Sequence, residues 1–511
     1  MRFRWISLLL AGSVATGPVL AAEVPAGYGD RWSVKSHSGT APVHAPEPDD
    51  ESFVVDVAAG LDTGCTYRDG GPLIFSIPVD RFVGEVKSDG TLADAALLVR
   101  NKIVSPKARL TMPAYDVDSG AAPSSPAEAE VDRVFFNGHE LDKPLTGTSD
   151  TWIMNEFEVP IELVRFPQRG ASGSKPAAAL NEVRIEIDTA NADIGQEVWC
   201  TAIDWARLKI PAVAPILLVH GTASGPDTWT ELVDDLEAEG APFEDNIQLT
   251  PNGSVAANGQ QLAGIVAAQA ASFGVRRVHL VVHSKGGLDS RRYLSAHYDP
   301  ETVRVLSLHT LSTPHHGSVL ADLSYTNRTV EEAESEDPDL EEYLDNDDWA
   351  SFFRAGPRRP ALDDLRTGAA LDFNKDNPLP PGVRLYTYGA DADRDGDNTI
   401  SDNEADALFT GAGGAAVDDG EVGSLLYRIL RDVSTINVTR RTRFFGIDEY
   451  HEVTAVSTNP QDNDLAVTNT SSRHPAEAVH VGPLDRNHAD MKDGDTARQI
   501  LDQIRADFPV R

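Results

Sequence analysis

The chain has 511 residues, 41% of them hydrophobic, with 80 acidic against 44 basic side chains and a formal net charge of −36. That is more than one average domain, with ample material for cores. The charge argues against a nucleic-acid partner, which needs clustered Lys and Arg, and against charge-driven binding to anionic membranes. It suits a self-repelling extracellular protein.

Arg2 and Arg4 precede an apolar run over 6–14 and the small-residue end Leu20-Ala21-Ala22. This reads as a secretory signal peptide, residues 1–22. The run is short and broken by Gly12, Gly17 and Pro18, which disfavours a membrane anchor. No integral membrane segment is expected after cleavage. Export would permit a disulfide between Cys65 and Cys200, the two cysteines; two separate buried thiols are the alternative. Residues 23–51 read as an exposed lead-in.

From 52 to 210 the hydrophobic period is two. Val183, Ile185 and Ile187 lie on one face of a strand over 181–188, and a strand over 131–136 runs into the hairpin signal Asn137-Gly138. Further short strands are predicted at 53–57, 73–77, 108–112, 157–161 and 198–210. The pattern predicts an all-β sandwich. It resembles the jelly-roll accessory domains of secreted carbohydrate-active and hydrolytic enzymes. Trp152, Trp199 and Trp205 could stack on sugars, giving this domain a carbohydrate or surface ligand, or could pack in its core.

A stiff linker, 211–215, precedes a change of pattern. Residues 216–219 form a buried strand ending in His220-Gly221-Thr222. Thr228 and Glu231 have capping-box spacing. Leu262, Ile265, Val266, Ala270 and Phe273 mark a helix. Strands follow at 278–282, 303–308 and 383–388. Helices are predicted around Leu425 and Ile429 and, at the end, around Ile500, Leu501, Ile504 and Phe508. Strands alternating with helices predict an α/β fold over 211–511, with a mostly parallel sheet covered on both faces. The pattern breaks over about 319–381. Eleven of the residues 331–348 are acidic, and Trp349, Phe352 and Phe353 follow. This insertion is either a solvated excursion or a lid.

Within the α/β part, His283-Ser284-Lys285-Gly286-Gly287 sits between a strand and a helix. A serine on such a turn, with glycine two residues later, is the nucleophile elbow of α/β-hydrolases. Serine needs a base, a carboxylate to orient that base, and donors for an oxyanion. Asp464 fits the acid, with Asp462 as competitor. His488, just before the closing helix, fits the base, with His474 and His480 as competitors. The backbone N–H groups of Thr222 and Lys285 are the expected oxyanion donors.

Asp393, Asp395, Asp397, Thr399, Ser401 and Glu404 stand at positions 1, 3, 5, 7, 9 and 12 of an EF-hand-like loop, 393–404. A hard cation needs several converging oxygens, and this spacing supplies them: carboxylates, the Thr399 carbonyl, and Ser401 directly or through water. Asn398 replaces the usual glycine, but asparagine tolerates a left-handed backbone. The preceding segment reads as strand, so a single structural calcium clip is expected.

From 216 onward the chain resembles the secreted bacterial triacylglycerol lipases. The resemblance rests on Pro-Ile-Leu-Leu-Val-His-Gly221, His283-Ser-Lys-Gly-Gly-Leu-Asp-Ser-Arg291, Ser312-Thr-Pro-His-His-Gly-Ser318, the segment 365–374, Asn463-Asp-Leu-Ala-Val467 and Asn487-His-Ala-Asp490. It implies an α/β-hydrolase with Ser284, Asp464 and His488 as catalytic triad, cleaving carboxylic esters through an acyl-enzyme. It also implies that Asp490 helps bind a structural calcium. Val282 at the elbow, Lys285 beside the serine and His316 in place of an arginine depart from the pattern. A polyester depolymerase of polyhydroxyalkanoate type, a thioesterase, and a carbohydrate- or surface-binding protein with an inactive hydrolase domain are the rival readings.

Overall fold

The computed structural model describes residues 54–60, 66–120, 127–194, 199–326, 333–334, 359–405, 419–442, 449–457, 460–474 and 478–510. The signal segment, the lead-in, Cys65, most of the acidic run, and Trp349, Phe352 and Phe353 lie outside them. Cys200 is disulfide-bonded.

The described residues between 54 and 211 contain two antiparallel sheets. One orders Val54–Gly60, Trp205–Pro211, Lys107–Tyr115, Cys200–Ile203 and Thr66–Tyr67, with Trp152–Pro160 also paired to Lys107–Tyr115. The other orders Leu73–Val79, Ala179–Glu186, Arg133–Phe136 and His139–Glu140. Period-two sequences give period-two burial: Leu73, Phe75, Ile77 and Val79 are buried, and Phe75 pairs with Val183. Asn137 and Gly138 take φ of 47° and 83°, as a two-residue hairpin turn requires. Phe75 and Ile185 of one sheet share an apolar cluster with Leu110, Phe157 and Leu208 of the other. Trp205 is buried, whereas Trp152 is half-buried and packs against Tyr115.

Residues 212–214 are not a free linker. Ala212, Val213 and Ala214 are buried, and the Val213 N–H donates to Ile103 O at 2.8 Å. The apolar cluster continues through Ala212 and Val213 into Ile216, Leu218 and Leu232.

The second half is built on a six-stranded sheet, ordered Phe243–Glu244, Ile216–Val219, Arg277–His283, Arg304–Leu311, Arg384–Asp391 and Val479–Asp485. All five pairings are parallel. Alternate residues point to opposite faces. Ile216 and Leu218 pack with the helices Thr230–Glu239 and Gly494–Asp507, through Leu232, Leu236, Ile500 and Leu501. Leu217 and Val219 pack with Val255–Phe273 and Lys285–Ala296, through Leu262, Val266 and Tyr293. Strands buried on both faces read as continuous apolar runs for this reason.

Of the insertion over 319–381, the described parts are the helices Val319–Thr326, Arg359–Asp364 and Thr367–Asp376 and the short strand Ala333–Glu334. That strand joins a three-stranded sheet with Glu449–Ser457 and Val433–Thr442. The chain between Arg384–Asp391 and Val479–Asp485 is therefore a long excursion. It carries the acidic loop, the helix Asp419–Asp432, two strands of this sheet and Asp464.

Candidate active site

Ser284 follows the buried strand Arg277–His283 and opens the helix Lys285–Ala296. Its φ of 53° and ψ of −131° lie in a region that non-glycine residues rarely adopt. Two contacts hold this turn: Ser284 N–H donates to Leu311 O at 2.9 Å, and Gly287 N–H to Ser284 O at 3.0 Å. The following glycines exist for contact. A Cβ on Gly286 would stand 2.5 Å from His220 O, and one on Gly287 2.1 Å from Thr313 Oγ1. The helix thus lies directly against the neighbouring strand's end.

That strand delivers His220-Gly221-Thr222 to the serine. A Cβ on Gly221 would stand 2.7 Å from Ser284 Cβ. His220 Nε2 accepts from Leu249 N–H at 3.2 Å, so its proton is on Nδ1, which donates to Gly221 O at 3.0 Å. Burial lowers its pKa and keeps it neutral. Gly221 C=O and Thr222 N–H belong to one planar trans peptide and point in opposite directions. His220 therefore fixes where the Thr222 N–H is aimed. The Lys285 N–H, at the first position of its helix, has no acceptor within that helix.

Asp464 is 1% exposed. Its Oδ1 accepts from Val467 N–H at 2.7 Å and Ala466 N–H at 3.0 Å, in a turn where Leu465 takes φ 74°. Its Oδ2 accepts from His488 Nδ1 at 2.9 Å. The two loops are also joined through the backbone, His488 N–H to Asp464 O at 2.8 Å. A carboxylate only accepts, so the His488 proton sits on Nδ1 and Nε2 is left as a base.

His488 is placed beside the elbow by His283. The two rings lie 4.7 Å apart, and His283 Nε2–H donates to His488 O at 2.8 Å. Full burial holds the His283 pKa well below the usual histidine range, so this ring stays neutral. No Ser284 Oγ–His488 Nε2 hydrogen bond is present among the described residues; such bonds commonly tighten only when substrate binds. The structure thus brings Asp464 and His488 into contact and sets His488 against the residue before Ser284. The competing histidines are engaged elsewhere: His474 packs on His315 at 5.5 Å, and His480 Nδ1 bonds to Thr387 Oγ1 at 2.6 Å.

Sequence reasoning missed the roles of His220 and His283. Each is a polar residue closing an apolar strand, the signal that could have exposed them. Lys285 turns its side chain away from the serine into a buried pair, Nζ to Asp289 Oδ1 at 2.8 Å, with Asn258 Nδ2 donating to Asp289 Oδ2 at 2.9 Å. Arg291 is fully buried and donates to His315 Nδ1, Asn374 Oδ1 and Asn377 O. His316 is half-buried, its N–H on Ser471 Oγ.

In the acidic loop, one carboxylate oxygen from each of Asp393, Asp395 and Asp397 lies within 4.8 Å of the others. Asn398 has φ 64°, the left-handed backbone expected of it. Ile400 is buried with Ala405, Tyr427 and Leu465. The Thr399 and Ser401 hydroxyls are held within the loop by Asp397 and Glu404. Glu404 is not part of the aspartate cluster. Its carboxylate accepts from Arg394 N–H and from the Ser401 N–H and hydroxyl. Asp490 receives a guanidinium, Arg394 Nη2 at 2.7 Å, which gives that aspartate a built-in cation. The loop also touches the histidine loop at Asn487, whose Nδ2 donates to Glu404 O at 3.0 Å.

No family model matches the chain. Over 121 residues it is 38% identical to a triacylglycerol lipase of Pseudarthrobacter phenanthrenivorans and, to the same degree, to one of Burkholderia plantarii. These stretches cover 21% of this chain and 35% and 31% of the relatives, so the chain spans about a third of the length of the curated relatives it matches. Among solved structures, a mature lipase of Bacillus licheniformis aligns over 57% of this chain and 92% of its own, at 23% identity and a TM-score of 0.37. A phospholipase of Legionella pneumophila aligns over 48% of this chain and 51% of its own, at 17% identity and 0.27. Among the described residues no helix is long and apolar enough to cross a membrane.

Proposed function

We propose that the chain is a secreted serine ester hydrolase of lipase type. The observation that carries this reading is the Asp464–His488 hydrogen bond lying against a strained serine elbow. Ser284 Oγ attacks the ester carbonyl while His488 Nε2 takes its proton. Asp464 keeps that proton acceptor available and balances the imidazolium. The N–H groups of Thr222 and Lys285 receive the oxyanion; losing one such donor typically costs about 3 kcal/mol of barrier. His488 returns the proton to the leaving alcohol, and water then cleaves the acyl-serine. The local identity to triacylglycerol lipases supports a lipid ester as substrate, and the two-sheet region serves as an accessory domain. The decisive test is hydrolysis of p-nitrophenyl butyrate and of longer acyl esters, with Ser284→Ala as control. A wild type with no esterase activity, or an unaffected variant, refutes the reading. Preference for a polyester film over soluble esters would reassign the substrate within the fold.

The acidic loop fits a hard cation: three carboxylates converge, and the backbone at Asn398 already has the turn such loops need. Asp393, Asp395 and Asp397 with the Thr399 carbonyl would hold calcium, which would neutralise their mutual repulsion. Glu404 joins only by leaving its present partners. Through Glu404 O on Asn487 and Ile400 against Leu465, the loop braces both sides of the Asp464–His488 pair. Calorimetry with calcium and with chelator tests this: equal melting temperatures would count against the metal.

A further inference from the structure

Lys285 has two ends with different tasks. Its N–H, at the first position of the helix Lys285–Ala296, is one of the two oxyanion donors of the ester-hydrolase reading. Its side chain runs into the core. The ammonium, 1% exposed, donates to both oxygens of Asp289, at 2.8 and 2.9 Å. Asp289 is held in turn by Asn258, whose Nδ2 donates to Asp289 Oδ2 at 2.9 Å and to Thr250 O at 3.1 Å. Asn258 belongs to the helix Val255–Phe273, and the first N–H of that helix, on Val255, donates to Asp364 Oδ2 at 2.6 Å. Leu288, beside Asp289, packs with Val255, Leu362 and Leu365 in one apolar cluster.

As a source of stability this network is poorly built. A buried ion pair can often be replaced by apolar side chains without loss. A cation in the first turn opposes the helix dipole, and lysine before the acid is the weaker order at this spacing. Burial pushes the Asp289 carboxyl up to about 6 against the pull of Lys285 and Asn258. The placement suits another task. Ser284 holds φ 53° and ψ −131°, a backbone that persists only where its surroundings over-determine it. Residues 285–289 form the turn that follows. The Lys285–Asp289 bridge spans this turn from its first residue to its fifth, and unwinding it would pull the ammonium off its carboxylate inside the core. The Lys285 N–H, with no acceptor in the helix, is thereby kept on its aim. A cation at this end of the helix also adds to the positive field that a developing oxyanion meets.

We propose that Asp289 and Asn258 are positioning residues for ester cleavage: through the Lys285 side chain they hold the first turn of the helix after Ser284, and with it the N–H that receives the oxyanion. The inference rests on the ester-hydrolase reading of Ser284.

The test separates aim from stability in the full chain. Lys285→Met with Asp289→Leu replaces the pair by apolar side chains. Urea unfolding should return close to wild type, while kcat on p-nitrophenyl butyrate should fall about tenfold or more, because part of an oxyanion donor is lost. KM should stay within about twofold, since that interaction is made only in the transition state. Asn258→Leu keeps the ion pair and removes its brace. It should lower kcat about threefold with KM unchanged, and it carries the test if the double variant fails to fold. Added to the double variant it should cost no further kcat, because both act through one link. A folded double variant with wild-type kcat overturns the proposal, as does Asn258→Leu with wild-type kcat or a loss seen in KM alone. A wild type that cleaves no ester overturns the hydrolase reading and this inference together; an active wild type with an indifferent double variant overturns this inference alone.

Discussion

Asp464→Asn is the most informative single change at the candidate site. Ala466 N–H and Val467 N–H both donate to Oδ1, so only the amide oxygen of an asparagine can take that place. Its NH2 then occupies the position of Oδ2, 2.9 Å from His488 Nδ1. Two N–H groups cannot face one another. The imidazole must move its proton to Nε2, which removes the acceptor that Ser284 needs. Packing is unchanged, since the two side chains have nearly the same shape. Where the tautomer is all that is lost, the rate falls by about 10⁴, or about 5.4 kcal/mol of barrier. The assay is kcat/KM on p-nitrophenyl butyrate, with circular dichroism to show that the fold survives. A well-folded variant retaining more than a tenth of the activity would refute the assignment of acid and base. Asp462→Asn, its neighbour in the same loop, should stay within a few-fold of wild type.

Three further outcomes follow from the geometry. Gly286→Ala should drive helix and oxyanion strand apart, because the new methyl meets His220 O at 2.5 Å; activity should drop about 10²-fold or more in a folded protein, and a near-normal rate would contradict the close approach. Lys285→Met should leave Asp289 buried without its counter-charge and lower stability by about 3–5 kcal/mol in urea unfolding, while Lys285→Met with Asp289→Leu should regain most of it. Burial pushes His279 down to about 3, against about 6.5 for an unfolded histidine. Above pH 6.5 the ring is neutral in both states; as pH falls from 6.5 to about 3 only the unfolded chain takes up the proton. His279 therefore removes about 1.4 kcal/mol of stability per pH unit over that window. The stability gap between wild type and His279→Asn, measured at pH 7.5 and 4.5, should shift by about 2.7 kcal/mol, and a constant gap would mean that the ring is not kept neutral.

What the sequence displayed follows from burial. Residues 216–219, 278–282, 303–308 and 383–388 are mostly apolar and mostly buried, and their strands are the inner ones of the parallel sheet. One edge strand, Val479–Asp485, escaped notice because its side chains are mostly exposed and it carries Gly482 and Pro483, which an edge tolerates and an interior does not. The hairpin Val433–Thr442 and Glu449–Ser457 was missed for a related reason: Arg440, Arg441, Glu449 and Glu452 interrupt its apolar alternation. Ser284 and the carboxylate spacing of 393–404 are local motifs, visible at a glance. Position along the chain offers Asp464 and His488 only among competitors, and family resemblance singles them out as a pair, since nothing within either loop names the other. The environments of His220 and His283 depend on residues up to 205 positions away, and no local pattern encodes them.

The buried run Ala212-Val213-Ala214 has a consequence for how this molecule can be divided. With Val213 bonded to Ile103, and one apolar cluster running from Phe75 to Ile500, the N-terminal sheets serve as part of the flooring under the parallel sheet. A shortened gene starting at 216 would leave a greasy wound where that flooring had been. Anyone grafting the hydrolase half onto another scaffold should transplant both halves as one unit.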